Sequence, residues 1–193
     1  DDYKDGDGNR IHSNFKRDSQ MLQLGVTPTE NTTIAGTYER SRAKVAYADR
    51  MMDGSKFDRD AWNIRFTQRN LTPWFSELEL RYGKSEIDHV MDTYSLRTIY
   101  NPAGKQIKNA NNPKRNTDTG RLKATLDWDK LNLQTGLDYL DDVHVARHER
   151  GGDGYSHKPY MPNQSFKQWG IFTEASWQQT DNQRWVAGLR HDQ

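Results

Sequence analysis

The sequence predicts an all-β chain, a section of about eight antiparallel strands from a large transmembrane β-barrel of the outer-membrane type. Three observations predict it. Apolar and polar residues alternate with a period of two along most of the chain, connections alternate between tight turns and long polar loops, and tryptophans cap both ends of the apolar faces.

The strands are expected near residues 13–26, 32–45, 59–69, 74–88, 118–128, 131–145, 166–179 and 184–192. The clearest pair is a hairpin. Leu122, Ala124, Leu126 and Trp128 alternate with Arg121, Lys123, Thr125 and Asp127; after Asp129-Lys130, Leu131, Leu133, Leu137 and Tyr139 alternate with Asn132, Gln134, Gly136 and Asp138. In the third and fourth segments the apolar dyads are Trp62, Ile64, Phe66 and Trp74, Leu78, Leu80, Tyr82. In the seventh and eighth they are Trp169, Ile171, Ala175, Trp177 and Trp185, Ala187, Leu189. The first segment carries a weaker set, Leu22, Leu24 and Val26, and the second only Ile34 and Tyr38.

Thr27 to Asn31, Asn70 to Pro73, Asp129 with Lys130, and Thr180 to Gln183 carry the Pro, Asn and Asp of hairpin turns. Long connections rich in Gly, Asn, Pro and charge lie between, near 46–58, 89–117 and 146–165. Long loops at one end only are unusual in compact soluble domains and regular in outer-membrane barrels. Trp74, Trp128, Trp177 and Trp185 adjoin the short turns and are expected to form the periplasmic girdle; Trp62, Trp169, Tyr82 and Tyr139 form the outer one.

Composition agrees. An apolar share of 33% beside 28% charged residues leaves little for a two-sided core, but a barrel wall needs an apolar residue only every second position. Disorder is excluded by six Trp, nine Tyr and six Phe placed within regular patterns. No stretch approaches a membrane helix of about 20 apolar residues, so any crossing is by strands. Basic and acidic residues number 28 and 27 and are interspersed, which leaves no basic stripe for nucleic acid. Cysteine is absent, removing disulfides and thiolate chemistry from this segment. Asp1 to Asn9 form a Gly/Asp loop and not a signal sequence, so the chain is expected to be part of a longer protein with its export signal upstream. The polar face carries Arg65, Arg69, Glu77, Glu79, Arg81, Arg121, Lys123, Asp127, Asp138, Glu174, Arg184 and Arg190. So many long charges suit a wide lumen better than the narrow interior of a closed eight-stranded barrel.

The soft side chains carry the functional signal. Met51, Met52, Met91 and Met161, with His12, His89, His144, His148 and His157, fall in or beside the long loops. Thioether with imidazole suits copper, Cu(I) above all. His89-Val90-Met91 is the tightest set: in extended backbone residues i and i+2 point the same way, so both reach one ion. The alternative is a solvated loop with a chance His-x-Met. Met51-Met52 and Met161 are capture sites further out or apolar loop contacts. Asp5, Asp7 and Asn9 start like a calcium loop, but Arg10 replaces the required Gly and Lys16 the closing Glu, so that pattern is rejected. No nucleophile motif or phosphate loop is present; Ser95, His144 and Asp141 make a triad only on paper, and the chain is not expected to be an enzyme.

The stretch Ala48-Asp49-Arg50-Met51-Met52-Asp53-Gly54-Ser55-Lys56-Phe57-Asp58-Arg59-Asp60, continuing to Asp88-His89-Val90-Met91-Asp92, resembles the barrel region of TonB-dependent copper receptors. Tyr3-Lys4-Asp5-Gly6-Asp7-Gly8-Asn9 and Leu24-Gly25-Val26-Thr27-Pro28 are similar to a loop and turn of that group. The resemblance implies a Gram-negative outer-membrane receptor with a barrel of about 22 strands. It also implies an N-terminal plug in the lumen, energy from the TonB complex acting on that plug, and copper as the transported ion. The family's His-x-Met pair maps onto His89 and Met91. Plug and remaining strands lie outside this chain. Two alternatives stand beside it: a receptor for a siderophore or other metal chelate, and a small structural outer-membrane barrel.

Overall fold

A computed structural model describes residues 2–193. The alternating segments form eight long strands: β3 (Asn14–Thr29), β4 (Thr32–Ala46), β5 (Asp53–Arg69), β6 (Phe75–Asp92), β7 (Asn109–Trp128), β8 (Leu131–Arg150), β9 (Met161–Thr180) and β10 (Gln183–Asp192). A small hairpin of β1 (Tyr3–Lys4) and β2 (Arg10–Ile11) precedes them, where the sequence suggested only a loop. The long strands make one antiparallel meander, each paired with its neighbour in the chain. Its outer strands, β3 and β10, do not pair with each other, so these residues form an open section of wall and not a closed barrel. At two of the tight turns Asn70 and Asp129 take positive φ, 52° and 31°, a conformation that Asn and Asp tolerate best after glycine.

Register fixes the faces. Val26, Ile34, Phe66, Leu80, Leu122, Leu137 and Ile171 are successive cross-strand partners from β3 to β9, one continuous apolar row. Most of these side chains are exposed, as a lipid-facing surface requires. The two girdles assemble as expected. Trp74 stacks on Trp128 at 6.4 Å with planes 2° apart, and Trp177 pairs with Trp185. At the other end Trp62 meets Tyr82 at 5.2 Å and Tyr139 meets Trp169 at 4.5 Å. From Trp74 to Tyr82 the strand rises about 26 Å, or about 20 Å along the axis of a barrel whose strands tilt by about 40°.

The opposite face is polar and concave. One cavity of about 570 Å³ is lined by residues from Gln23 on β3 to Arg190 on β10, so the sheet curls toward this side. Its charges pair across strands, Arg121 and Arg190 with Asp138 at 2.5 and 2.6 Å and Arg69 with Glu77 at 3.2 Å, and along β6, Arg81 with Glu79 at 2.8 Å. An arginine on the apolar row is therefore expected to be costly. Leu80→Arg, which lies between the midplane and the outer girdle at Tyr82, is predicted to destabilise the full-length receptor in bilayers by about 1–2 kcal/mol. An unmoved denaturant midpoint would mean that the faces are assigned the wrong way round.

The strands outrun the sequence expectation at the long-loop end. The connections shrink to 47–52, 93–108 and 151–160, and the wall continues above the outer girdle. There the outward face turns polar and sealed. Asn112, fully buried, donates to Asp88 Oδ1 (2.7 Å) and the His89 carbonyl (2.9 Å), and accepts from Arg147 (2.7 Å) and Tyr160 (2.9 Å). Arg147 also donates to the Ser156 carbonyl and lies 4.3 Å over the Tyr160 ring, so the β8–β9 connection folds back over this face.

Candidate metal centre

His89 and Met91 lie in β6 and not in a loop, as the sequence had suggested. Pairing places them firmly. His89 is opposite Phe57 and Met91 opposite Gly54, on the concave face, while Val90 between them is buried on the outer side. They stand beyond Tyr82, above the membrane-crossing part of the strand.

What orients His89 begins in β5. Ser55 is an extra residue in that strand, so the register shifts between Gly54 and Lys56. A bulge re-aims the side chains on either side of it. Ser55 turns outward and its hydroxyl donates to Asp92 (2.5 Å), while Gly54 and Phe57 occupy the lumen side. The Phe57 ring then lies where a Cβ on Gly54 would be, 1.9 Å from its Cε2, and stacks on the His89 imidazole with centroids 4.0 Å apart. Glycine is required here for space, and the aromatic ring sets the plane of the histidine.

The chemical state of His89 follows from its surroundings. Burial pushes the imidazole below its ordinary pKa, and the neighbouring Asp88 carboxylate only partly opposes this. The neutral ring is the form that ligates a metal. Its Nε2 is buried and has no hydrogen-bond partner among the described residues. An orphaned buried nitrogen costs about 1–3 kcal/mol, so it requires an explanation.

The sheet adds two residues that the sequence did not single out together. Asn111 on β7 is the register partner of Met91, and His148 on β8 is the partner of Asn111. Asn111 Oδ1 is also buried without a partner. Direct cross-strand neighbours have Cβ atoms about 4.5–5.5 Å apart. One rim therefore gathers an imidazole, a thioether and an amide oxygen, with a second, exposed imidazole in the same row. The distance along the chain between Met91 and His148 hides this grouping from any local motif.

The other candidates separate. Met51 is exposed in its loop and Met161 is exposed at the start of β9. His157 lies in a short 3₁₀ turn (Tyr155–His157), and His12 contacts Asp53 at 3.3 Å. The paper triad dissolves: the Ser95 hydroxyl donates to Asp92 (2.6 Å), Asp141 contacts Lys167 (3.2 Å) on the outward face, and His144 contacts Asp142 (3.4 Å) from the other face. The Asp5 carboxylate accepts the backbone N–H groups of Asp7 (3.0 Å) and Asn9 (2.8 Å), capping its own turn.

The family model described as "TonB dependent receptor-like, beta-barrel" matches residues 1–193. The chain is similar to a solved structure named "Copper transporter OprC", with a TM-score of 0.88 and 33% identity over 100% of this chain and 31% of that one. It thus spans about a third of that protein's length. A search of curated protein sequences gave no match.

Proposed function

The chain belongs to the TonB-dependent receptor family as part of its β-barrel, and from that premise we propose that the full protein takes up copper across a Gram-negative outer membrane, with His89 and Met91 as ligands from the barrel wall. The observation that carries this reading is the unpartnered His89 Nε2 beside a thioether on the lumen face. The similarity to a structure named as a copper transporter supports it.

In this reading the barrel domain continues beyond the present chain and encloses a plug, which supplies the remaining ligands. Copper, alone or in a complex, enters between the loops, where the exposed Met51 and Met161 offer weak soft contacts. His89 and Met91 close the site against the plug. Force from the TonB complex on the plug opens it and lets the ion pass inward. Thioether disfavours Mg and Ca, and zinc competes only at the imidazole. A receptor for an anionic chelate would need free cations in the lumen. Of the four arginines around the central cavity, Arg81, Arg121 and Arg190 are instead tied to Glu79, Asp138 and Asp192, which leaves Arg65 as the one without an ion pair among the described residues.

The test is the metal content of purified full-length receptor after exposure to equal copper and zinc. About one copper per receptor with little zinc is the expected result, and a receptor without copper would sink the proposal.

A further inference from the structure

Asn109, Asn111 and Asn112 open β7, and they differ in how their side chains are satisfied. Asn112, on the outward side, bonds at both ends of its amide, and Asn109 Oδ1 accepts the Gly151 N–H at 3.2 Å. Asn111 faces the lumen, and its buried Oδ1 accepts from nothing among the described residues. β7 runs between β6 and β8, so neither side of this residue is an edge of the sheet. His89 and Met91 stand at i and i+2 on β6 with Asn111 directly opposite Met91, which sets three donor side chains on one face of two adjacent strands. Direct partners are about 4.5–5.5 Å apart at Cβ and diagonal ones about 7–8 Å, which side chains of this length can span. Two of the three donor atoms, His89 Nε2 and Asn111 Oδ1, are buried and unpartnered. A carboxamide oxygen has no proton to give, and a neutral imidazole offers a lone pair at one of its nitrogens. One occupant that takes a lone pair from each, beside a thioether, is a soft cation.

We propose that Asn111 Oδ1 is a third wall-side donor to copper and that it sets which oxidation states the site accepts, holding Cu(II) together with the His89 imidazole. The inference rests on the copper reading and goes beyond its His-x-Met pair. Thioether selects Cu(I), imidazole suits either state, and an amide or carbonyl oxygen serves as a weak axial partner in copper sites built from imidazole and sulfur. With His89 and Met91 alone, the wall would favour Cu(I). The carboxamide of Asn111 adds the harder contact that Cu(II) needs. Being neutral, it adds no charge that would draw Mg or Ca into the site.

The experiment uses full-length receptor purified from outer membranes: the parent, Asn111→Leu, Asn111→Asp and Asn116→Leu. Leucine removes the oxygen at similar size, and aspartate keeps one. Asn116 is the control, because its Oδ1 is also buried without a partner among the described residues but lies on the outward face, opposite Glu86 and Val143. Heat-modifiable migration verifies the barrel; should Asn111→Leu fail to assemble, Asn111→Ala replaces it. Chelator competition reads affinity for Cu(II) and for Ag(I), the air-stable stand-in for Cu(I), and electron paramagnetic resonance reads the donor set of bound Cu(II). Asn111→Leu is expected to lose about tenfold or more in Cu(II) affinity and about threefold or less in Ag(I) affinity, with a changed Cu(II) spectrum. Asn111→Asp and Asn116→Leu are expected to bind Cu(II) at least as tightly as the parent. Unchanged Cu(II) affinity or an unchanged spectrum in Asn111→Leu overturns the proposal. So does an equal loss of Cu(II) and Ag(I), or an equal loss in Asn116→Leu. If the parent binds copper while Asn111→Leu matches it, this proposal alone falls; a parent that binds neither ion overturns the transport reading with it.

Discussion

Full-length receptor carrying His89→Ala and Met91→Ala is expected to lose essentially all of its copper while its barrel assembles and migrates as the parent does. Both side chains point into the lumen from a strand whose neighbours are paired along its length, so neither contributes to the lipid-facing packing. Removing the imidazole also removes a buried nitrogen that has no partner among the described residues, which makes a folding penalty small. Gly54→Ala tests the support beneath the pair. A methyl group there lies 1.9 Å from Phe57 Cε2, so the ring must swing away and His89 loses the surface that fixes its plane. Affinity is expected to fall about 10–100-fold, the usual cost of losing a group that orients a ligand. Copper retained at the parent level in the double variant would remove these residues from the site.

Asp53→Ala is expected to open the rim without unfolding the wall. This carboxylate is 1% exposed at the base of the β4–β5 connection. It accepts the Tyr47 backbone N–H at 2.9 Å, contacts His12 Nε2 at 3.3 Å and holds Arg97 Nε at 3.1 Å. The Arg97 contact lies off the N–H axis and is an ion pair more than a directed hydrogen bond. Taking one partner from a buried pair strands the other and costs about 3–5 kcal/mol; partial exposure of Arg97 puts the loss near 3 kcal/mol. The loss is local, because Asp53 ties together the first hairpin and the connections at 47–52 and 93–108. Hydrogen exchange at Tyr47 and across 93–108 should accelerate, while the apolar row keeps its protection. Uniform protection in the variant would show that the rim is held by other contacts.

The sequence revealed the membrane-crossing part of every long strand because lipid imposes a two-residue period there. Above the girdles that constraint ends. Asp53-Gly54-Ser55-Lys56-Phe57 and Asn109 to Lys114 are strand with both faces polar or crowded, and without the alternation they read as loop. Bulges compound this: one extra residue at Ser55 exchanges the faces of what precedes it. For the same reason His89 and Met91 were legible as a pair on one face but not as part of a strand. Phe57, Asn111 and His148 reach that pair through register across three other strands, and register between distant segments leaves no local mark. The Gly54 of Asp53-Gly54-Ser55 was the one available sign that backbone and ring approach closely there.

In the proposed function, the height of the wall would separate recognition from passage. His89 is seven residues beyond Tyr82, which puts it about 18 Å above the outer edge of the hydrocarbon. An ion held there, as proposed, would still be in the aqueous layer, where charge faces no bilayer barrier, and the receptor would choose its cargo before any energy is applied. Ligand changes at the rim should then alter which metal is captured and leave the rate of delivery to a loaded receptor unaltered, so selectivity and transport become properties that mutation can change one at a time.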